Sequence, residues 1–203
     1  MNSFTKYVVS ALFATPMIAS AAMDLVTNGS FEVDLQASGT WNIYNSLTGW
    51  TGSPNIELRN NIAGTAYEGG NFIELDTYSN SSLSQLLIGT PGLYQLSFWY
   101  SARPGTGATN NLTFTVDGSA PVTVLNGVSN AGSDHNWLNY STIVNFDGNG
   151  LLTFNASGIS DSYGGSLDMV SFTSPIPESE TYVMLVIGLG LLGFAARRKK
   201  QNT

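Results

Sequence analysis

The 203-residue sequence predicts an all-β fold, a β-sandwich, for the body between two apolar ends. Three observations predict it. Apolar side chains alternate with polar ones over short runs, the period of a strand with one buried face. Asp-Gly pairs and clusters of Gly, Asn and Ser punctuate those runs. No stretch of the body sustains a helical period of apolar residues.

The strands follow in order. Early ones are expected around Trp41 to Tyr44, Ile56 to Arg59, Phe72 to Asp76 and Leu83 to Ile88. From Leu93 to Ser101, the residues Tyr94, Leu96, Phe98 and Tyr100 share one face, with Gln95, Ser97, Trp99 and Ser101 on the other. Leu112, Phe114 and Val116 alternate and close on an Asp117-Gly118 turn, after which Val122 and Val124 resume the pattern. Leu138, Tyr140, Thr142, Val144 and Phe146 predict a long inner face that ends in a hairpin turn at Asp147-Gly148. Leu152 with Phe154, and Val170 with Phe172, supply the last strands. The absence of an internal repeat argues against propellers and solenoids.

Both ends read as export signals. Residues 1–22 place Lys6 before the apolar stretch Tyr7 to Ala14, then Pro16, then Ala19-Ser20-Ala21-Ala22. That charged, apolar, small-residue order predicts a signal peptide cleaved after Ala21 or Ala22. Residues 176–203 form a tail. Its stretch Tyr182 to Ala196 carries no charge and predicts one transmembrane helix, slightly short of a full span at ~1.5 Å per residue. Arg197, Arg198, Lys199 and Lys200 follow it and favour the cytoplasmic side, which leaves Glu178 and Glu180 outside. Gly188, Gly190 and Gly193 match the letters of a dinucleotide fingerprint, but no strand–helix–strand context or downstream acid follows.

The body, residues 23–175, is acidic. Arg59 and Arg103 are its only cations, against twelve acids, a net charge of −10. Nucleic acids and anionic lipid surfaces are therefore poor partners; cations and neutral polar ligands are suitable ones. The chain has no cysteine, so neither a disulfide nor a thiol nucleophile is available.

Pro177-Glu178-Ser179, the apolar helix and the basic end together resemble the PEP-CTERM protein-sorting signal, although the usual third residue is proline where Ser179 stands. The resemblance implies a bacterial envelope protein held transiently in the inner membrane by Arg197 to Lys200. An exosortase-type membrane transpeptidase would process it near Pro177-Glu178. The body would then go to the cell surface or an exopolysaccharide matrix.

The body is similar to galactose-binding-like jelly rolls, a group that includes carbohydrate-binding modules. The residues that carry this are Asn28-Gly29-Ser30-Phe31-Glu32, Gly49-Trp50, Gly70 to Asp76, Ser84-Gln85-Leu86, Pro91 to Phe98 and Leu167-Asp168-Met169-Val170. The resemblance implies a structural calcium at Glu32 and Asp168, with Asn28, Ser30 and Asp76 as further oxygen donors. Asp147-Gly148-Asn149-Gly150 is no calcium loop of the EF-hand kind, because its twelfth position is Gly158.

Sugar binding needs flat rings to stack on pyranose faces and polar groups to fix hydroxyls. Trp99, Trp137, Tyr67 and Arg103 are the candidates, with Trp41 and Trp50 beside a polar stretch and Trp50 assigned to the core. An enzyme is the second hypothesis. His135, beside Asp134, is the only histidine, and no G-x-S-x-G elbow accompanies it, so a Ser-His-Asp triad and a zinc centre are both disfavoured. Glu57, Glu68, Glu74 and Asp76 are the carboxylates from which a glycan-active hydrolase would draw an acid/base pair. A third class is a purely structural matrix protein with no specific ligand. Of these, the expected function is a non-catalytic surface protein with carbohydrate contact.

Overall fold

The computed structural model describes residues 22–107, 110–125, 130–174 and 187–191. Ala22 to Ser174 belong to one compact unit of ten strands. They are β1 (Thr40–Leu47), β2 (Trp50–Asn60), β3 (Asn71–Glu74), β4 (Ser82–Ile88), β5 (Gly92–Ser101), β6 (Leu112–Val116), β7 (Val122–Leu125), β8 (Leu138–Phe146), β9 (Asn149–Ala156) and β10 (Ser166–Thr173). Hydrogen bonds link them in the order β7-β6-β9-β4-β2-β3-β10-β5-β8, with β1 on β2, and every pairing is antiparallel.

β2 is the bend that turns this path into two layers. Its first part, Thr51 to Ser53, pairs with β4, and its last part, Glu57 to Asn60, pairs with β3. One layer is then β7-β6-β9-β4 and the other is β3-β10-β5-β8. The alternating residues of each meet in the middle. Phe98 of β5 lies 4.9 Å from Phe154 of β9 and 5.9 Å from Phe114 of β6, ring centre to ring centre. Trp50 is buried beside Phe31 and Phe154, and its Nε1–H donates to the Asn28 carbonyl, so the core assignment of Trp50 holds.

Asp117-Gly118 forms the expected tight turn. Both residues have positive φ, the requirement of a two-residue turn whose twist matches its strands, and β6 pairs with β7 across it. Asp147-Gly148 does not form a hairpin. β8 pairs with β5, and β9 pairs with β4 and β6, so these two residues carry the chain round a corner between layers. The alternation was the same in both cases; only pairing partners distant in sequence distinguish them. The predicted inner face of β8 is also only partly enclosed. Phe146 is buried and Tyr140 and Val144 pack against the core, while Leu138 stands exposed, because β8 is the last strand of its sheet.

The start of the body runs along β10. Leu25 N–H donates to the Phe172 carbonyl and Val170 N–H to the Gly29 carbonyl. Of the tail, residues 187–191 are helical and mostly exposed. Residues 1–21 of the expected signal peptide, Pro177 to Ser179, Arg197 to Lys200 and the rest of the expected span lie outside the described residues. Among the described residues no helix is long and apolar enough to cross a membrane.

Candidate functional site on the outer face of the second sheet

Strand register defines the face. Opposite residues of an antiparallel pair point to the same side. Leu58 faces Ile73, and Ile73 faces Leu167; all three are core. The residues between them therefore point outward: Glu57 and Arg59 on β2, Phe72 and Glu74 on β3, Ser166 and Asp168 on β10, Ser101 and Trp99 on β5. The loops before β3, after β5 and before β8 and β10 cover this face, so much of what points outward is still buried.

Its floor is ionic. Arg59 Nη2 lies 2.6 Å from Glu57 Oε2 and Arg59 Nε 2.7 Å from Glu74 Oε2; Arg103 Nη1 lies 2.9 Å from Glu74 Oε1. Glu74 is fully buried and also accepts the Gly164 N–H. Burial pushes the Glu74 carboxyl up, to about 7, against the pull of Arg59 and Arg103. Two exposed rings flank the floor: the Arg59 guanidinium sits 5.8 Å from the centre of Trp41, and that of Arg103 4.7 Å from Tyr163.

Beside the floor is an aromatic cluster. Tyr67 stacks on Trp99 at 3.8 Å, and Trp137 meets Tyr67 edge-on at 6.3 Å. His135 packs edge-on against Phe72 at 4.8 Å. The loop that carries Tyr67 is pinned at several points. Asp134 accepts the Thr65 N–H, Trp137 Nε1–H donates to the Thr65 carbonyl, and Asp168 Oδ2 accepts the N–H groups of Tyr67 and Glu68. His135 Nδ1 lies 2.7 Å from the Thr65 carbonyl and must carry its proton there, which leaves Nε2 to accept from Ser166 Oγ at 2.9 Å. Burial pulls the His135 imidazole down and favours this neutral form. His135 is thus a half-buried clasp between loop and β10.

Of the expected ligand residues, Tyr67, Trp99 and Trp137 come together. Trp99 does not present an open platform, because Tyr67 covers it; the exposed ring is Tyr67. Arg103 lies apart from them, bonded to Glu74 and to the Ser162 carbonyl. Glu57 and Glu74 are committed to Arg59, so they are not a free acid/base pair. Trp41, named beside a polar stretch, stands at the rim as an exposed ring, whereas the sequence reading named neither Tyr163 as its counterpart nor the Glu57–Arg59–Glu74–Arg103 chain beneath them.

The expected calcium residues divide. Glu32 Oε1 accepts the N–H groups of Gly70 and Asn71. Asp168 is fully buried, and burial, with Glu32 adding repulsion, pushes its carboxyl up to about 7 against its three backbone N–H donors. No Arg or Lys among the described residues pairs with either. Two neighbouring acids with no cation between them fit an oxygen-seeking divalent ion. Asn28 and Asp76 do not join this pair: Asn28 bonds Asp34 and Val33, and Asp76 bonds the loop at Asp161 and Ser162.

A pH dependence follows. The folded value of Asp168 lies above its unfolded value of 3.8, so the native state binds the extra proton between them. Its contribution is present below pH 4 and is lost as pH rises through about 7. Chemical denaturation with a chelator present should show stability falling over that window more steeply in the wild type than in Asp168→Asn. Parallel curves would contradict the assignment.

Residues 175–199 match the family model described as the PEP-CTERM protein-sorting motif. The chain carries a PEP-CTERM sorting signal. This signal marks export and membrane-associated sorting to the cell surface. No curated protein matches the chain. Among solved structures, the body is similar to an apo cyclase from Fischerella sp., at 15% identity and TM-score 0.56, over 76% of this chain and 97% of that one. It is similar also to a Stig cyclase from Fischerella sp. TAU in complex with a pyrrolidinylidene-indole, at 14% identity and TM-score 0.56, over 77% and 99%. TmCBM61, in complex with beta-1,4-galactotriose, matches at 15% identity and TM-score 0.45, over 74% and 97%. The two cyclases establish the fold alone.

Proposed function

We propose that this is a non-catalytic surface protein that a PEP-CTERM signal sorts and that holds a neutral polysaccharide against the rim of its second sheet. The observation that carries the reading is the sorting motif at residues 175–199 on an acidic jelly-roll body. Exposed Trp41, Tyr67 and Tyr163 supply flat apolar faces, and the sealed ionic floor holds their supports in place. Aromatic stacking needs no ligand charge, which suits a body this negative. Glu32 and Asp168 would hold a calcium ion, whose charge would relieve their repulsion and fix the Tyr67 loop through Asp168. Final deposition in an exopolysaccharide matrix, after processing by an exosortase-type enzyme, completes the reading.

A glycan array on the purified chain, with and without chelator, tests the binding half. At least one neutral glycan should retain the protein. No signal in either condition would leave a structural matrix role. The sorting half has its own test. Replacing Arg197, Arg198, Lys199 and Lys200 together with Ser should release unprocessed protein from the membrane fraction, because the stop that holds the apolar stretch is gone. Unchanged fractionation and processing would contradict it.

A further inference from the structure

Five residues along the chain from the Asn71 that meets Glu32, a second acidic site takes shape. Asp76 and Asn80 face each other in an isolated antiparallel bridge. Both reach the same neighbouring loop. Asp76 Oδ2 accepts the N–H groups of Asp161 at 3.0 Å and Ser162 at 3.1 Å. Asn80 Nδ2 donates to the Gly158 carbonyl, and Asn80 N–H donates to Ser160 Oγ.

The remaining oxygen of each side chain is the unusual feature. Asp76 Oδ1 and Asn80 Oδ1 are the only buried side-chain polar atoms among the described residues without a hydrogen-bond partner. Asp76 itself is 1% exposed. Gly164 packs so tightly on it that a Cβ there would lie 2.6 Å from the Asp76 nitrogen. A buried acceptor without a donor is costly, and two at one junction ask for a shared partner. Both are acceptors, so neither can satisfy the other. Asp161, whose N–H bonds Asp76, brings a second carboxylate to the junction, where its Oδ1 accepts the Tyr163 N–H, and no Arg or Lys among the described residues pairs with Asp76 or Asp161.

We infer that the junction of residues 76–80 with 158–162 is a calcium-type cation site, held by Asp76 Oδ1, Asn80 Oδ1 and the Asp161 carboxylate with neighbouring neutral oxygens. Its named donors are two carboxylates and one amide oxygen, and the Gly158 carbonyl and Ser160 Oγ lie at the same junction as neutral oxygens. That donor set suits calcium, which accepts carbonyls and water at irregular geometry, better than magnesium. An affinity on the order of 10⁻⁴ to 10⁻³ M, the range of extracellular modules, is expected.

The test is calcium binding by equilibrium dialysis on the full chain in detergent. Asp76→Asn should bind one equivalent less than wild type. It should also melt higher than wild type in chelator, since its new amide donates to Asn80 Oδ1. Asn80→Asp, which adds a carboxylate, should bind calcium about tenfold more tightly and melt lower in chelator. The loss in Asp76→Asn must persist in a Glu32→Gln background, which separates this junction from the Glu32–Asp168 pair. Unchanged stoichiometry in Asp76→Asn, or no calcium uptake by the wild type, would assign the two oxygens to a water or a proton and overturn the site.

Discussion

Replacing Arg59 with alanine is expected to destabilise the body by about 3–5 kcal/mol. The guanidinium lies between two buried carboxylates, Glu57 and Glu74, within hydrogen-bond distance of both. A buried ion pair contributes little net stability, because desolvation offsets most of the attraction. Losing one partner is different: the desolvation cost stays and the attraction goes. Glu74 makes the point within this molecule, since burial already pushes it up to about 7 with two arginines beside it. Without Arg59 it would be pushed further above its unfolded value of 4.5, and the folded state would bind the proton more strongly. The variant's deficit should therefore be smallest near pH 5 and should grow as pH rises through 7 and beyond. For a body of this size the midpoint should drop by roughly 10 °C or more near neutral pH. Denaturation of both proteins across this pH range checks the size and the sign. A loss below about 1 kcal/mol, or one independent of pH, would mean that water reaches the floor.

Gly29→Ala should cost roughly 3 kcal/mol, at the upper end of overpacking effects. A Cβ there would lie 1.9 Å from the Val170 carbonyl oxygen, a backbone atom that cannot rotate aside. The contact exists because the Gly29 carbonyl accepts the Val170 N–H, which draws the two chains together. On either side, Asn28 and Phe31 adopt positive φ. This tight loop sends Phe31 into the core and Glu32 to the Gly70 and Asn71 N–H groups. Alanine should therefore loosen the Glu32–Asp168 pair as well as the fold. Gly107→Ala is the control, since no atom of the described residues beyond its chain neighbours lies within 4 Å of a Cβ placed there and its φ is not in the left-handed region. It should change stability by under about 0.5 kcal/mol. Equal midpoints for the two variants would contradict the account of this loop.

The motif around Gly29 illustrates what a single sequence reveals. Asn28 to Glu32 stood out as a pattern, and the structure supplies its cause in a close backbone approach. Strands were legible wherever one face is enclosed, as in β5 and β6, where each inward residue of the alternation is buried. Legibility failed where pairing partners decide the outcome. Asp147-Gly148 looks locally like Asp117-Gly118, and only the assignment of β8 and β9 to different layers makes it a corner. β2 gave no sign that one strand would serve both sheets.

The site was legible by residue type but not by arrangement. Tyr67, Trp99 and Trp137 could be named, yet the stack of a loop ring over a strand ring joins segments far apart in sequence. The ionic floor did carry a signal. Arg59 and Arg103 are the only cations among twelve acids of the body, and a lone cation in such a field is drawn to carboxylates. Glu57 and Arg59, two apart on a strand, also had to share a face.

The most direct test of the rim as a glycan surface is calorimetric titration of the best array glycan into the wild type, Tyr67→Ala and Leu86→Ala. Leu86 is a solvent-exposed apolar side chain on the opposite sheet, more exposed than Tyr67. The predicted result is at least a tenfold loss of affinity in Tyr67→Ala and none in Leu86→Ala. Unchanged affinity in Tyr67→Ala, or a loss confined to Leu86→Ala, would contradict it.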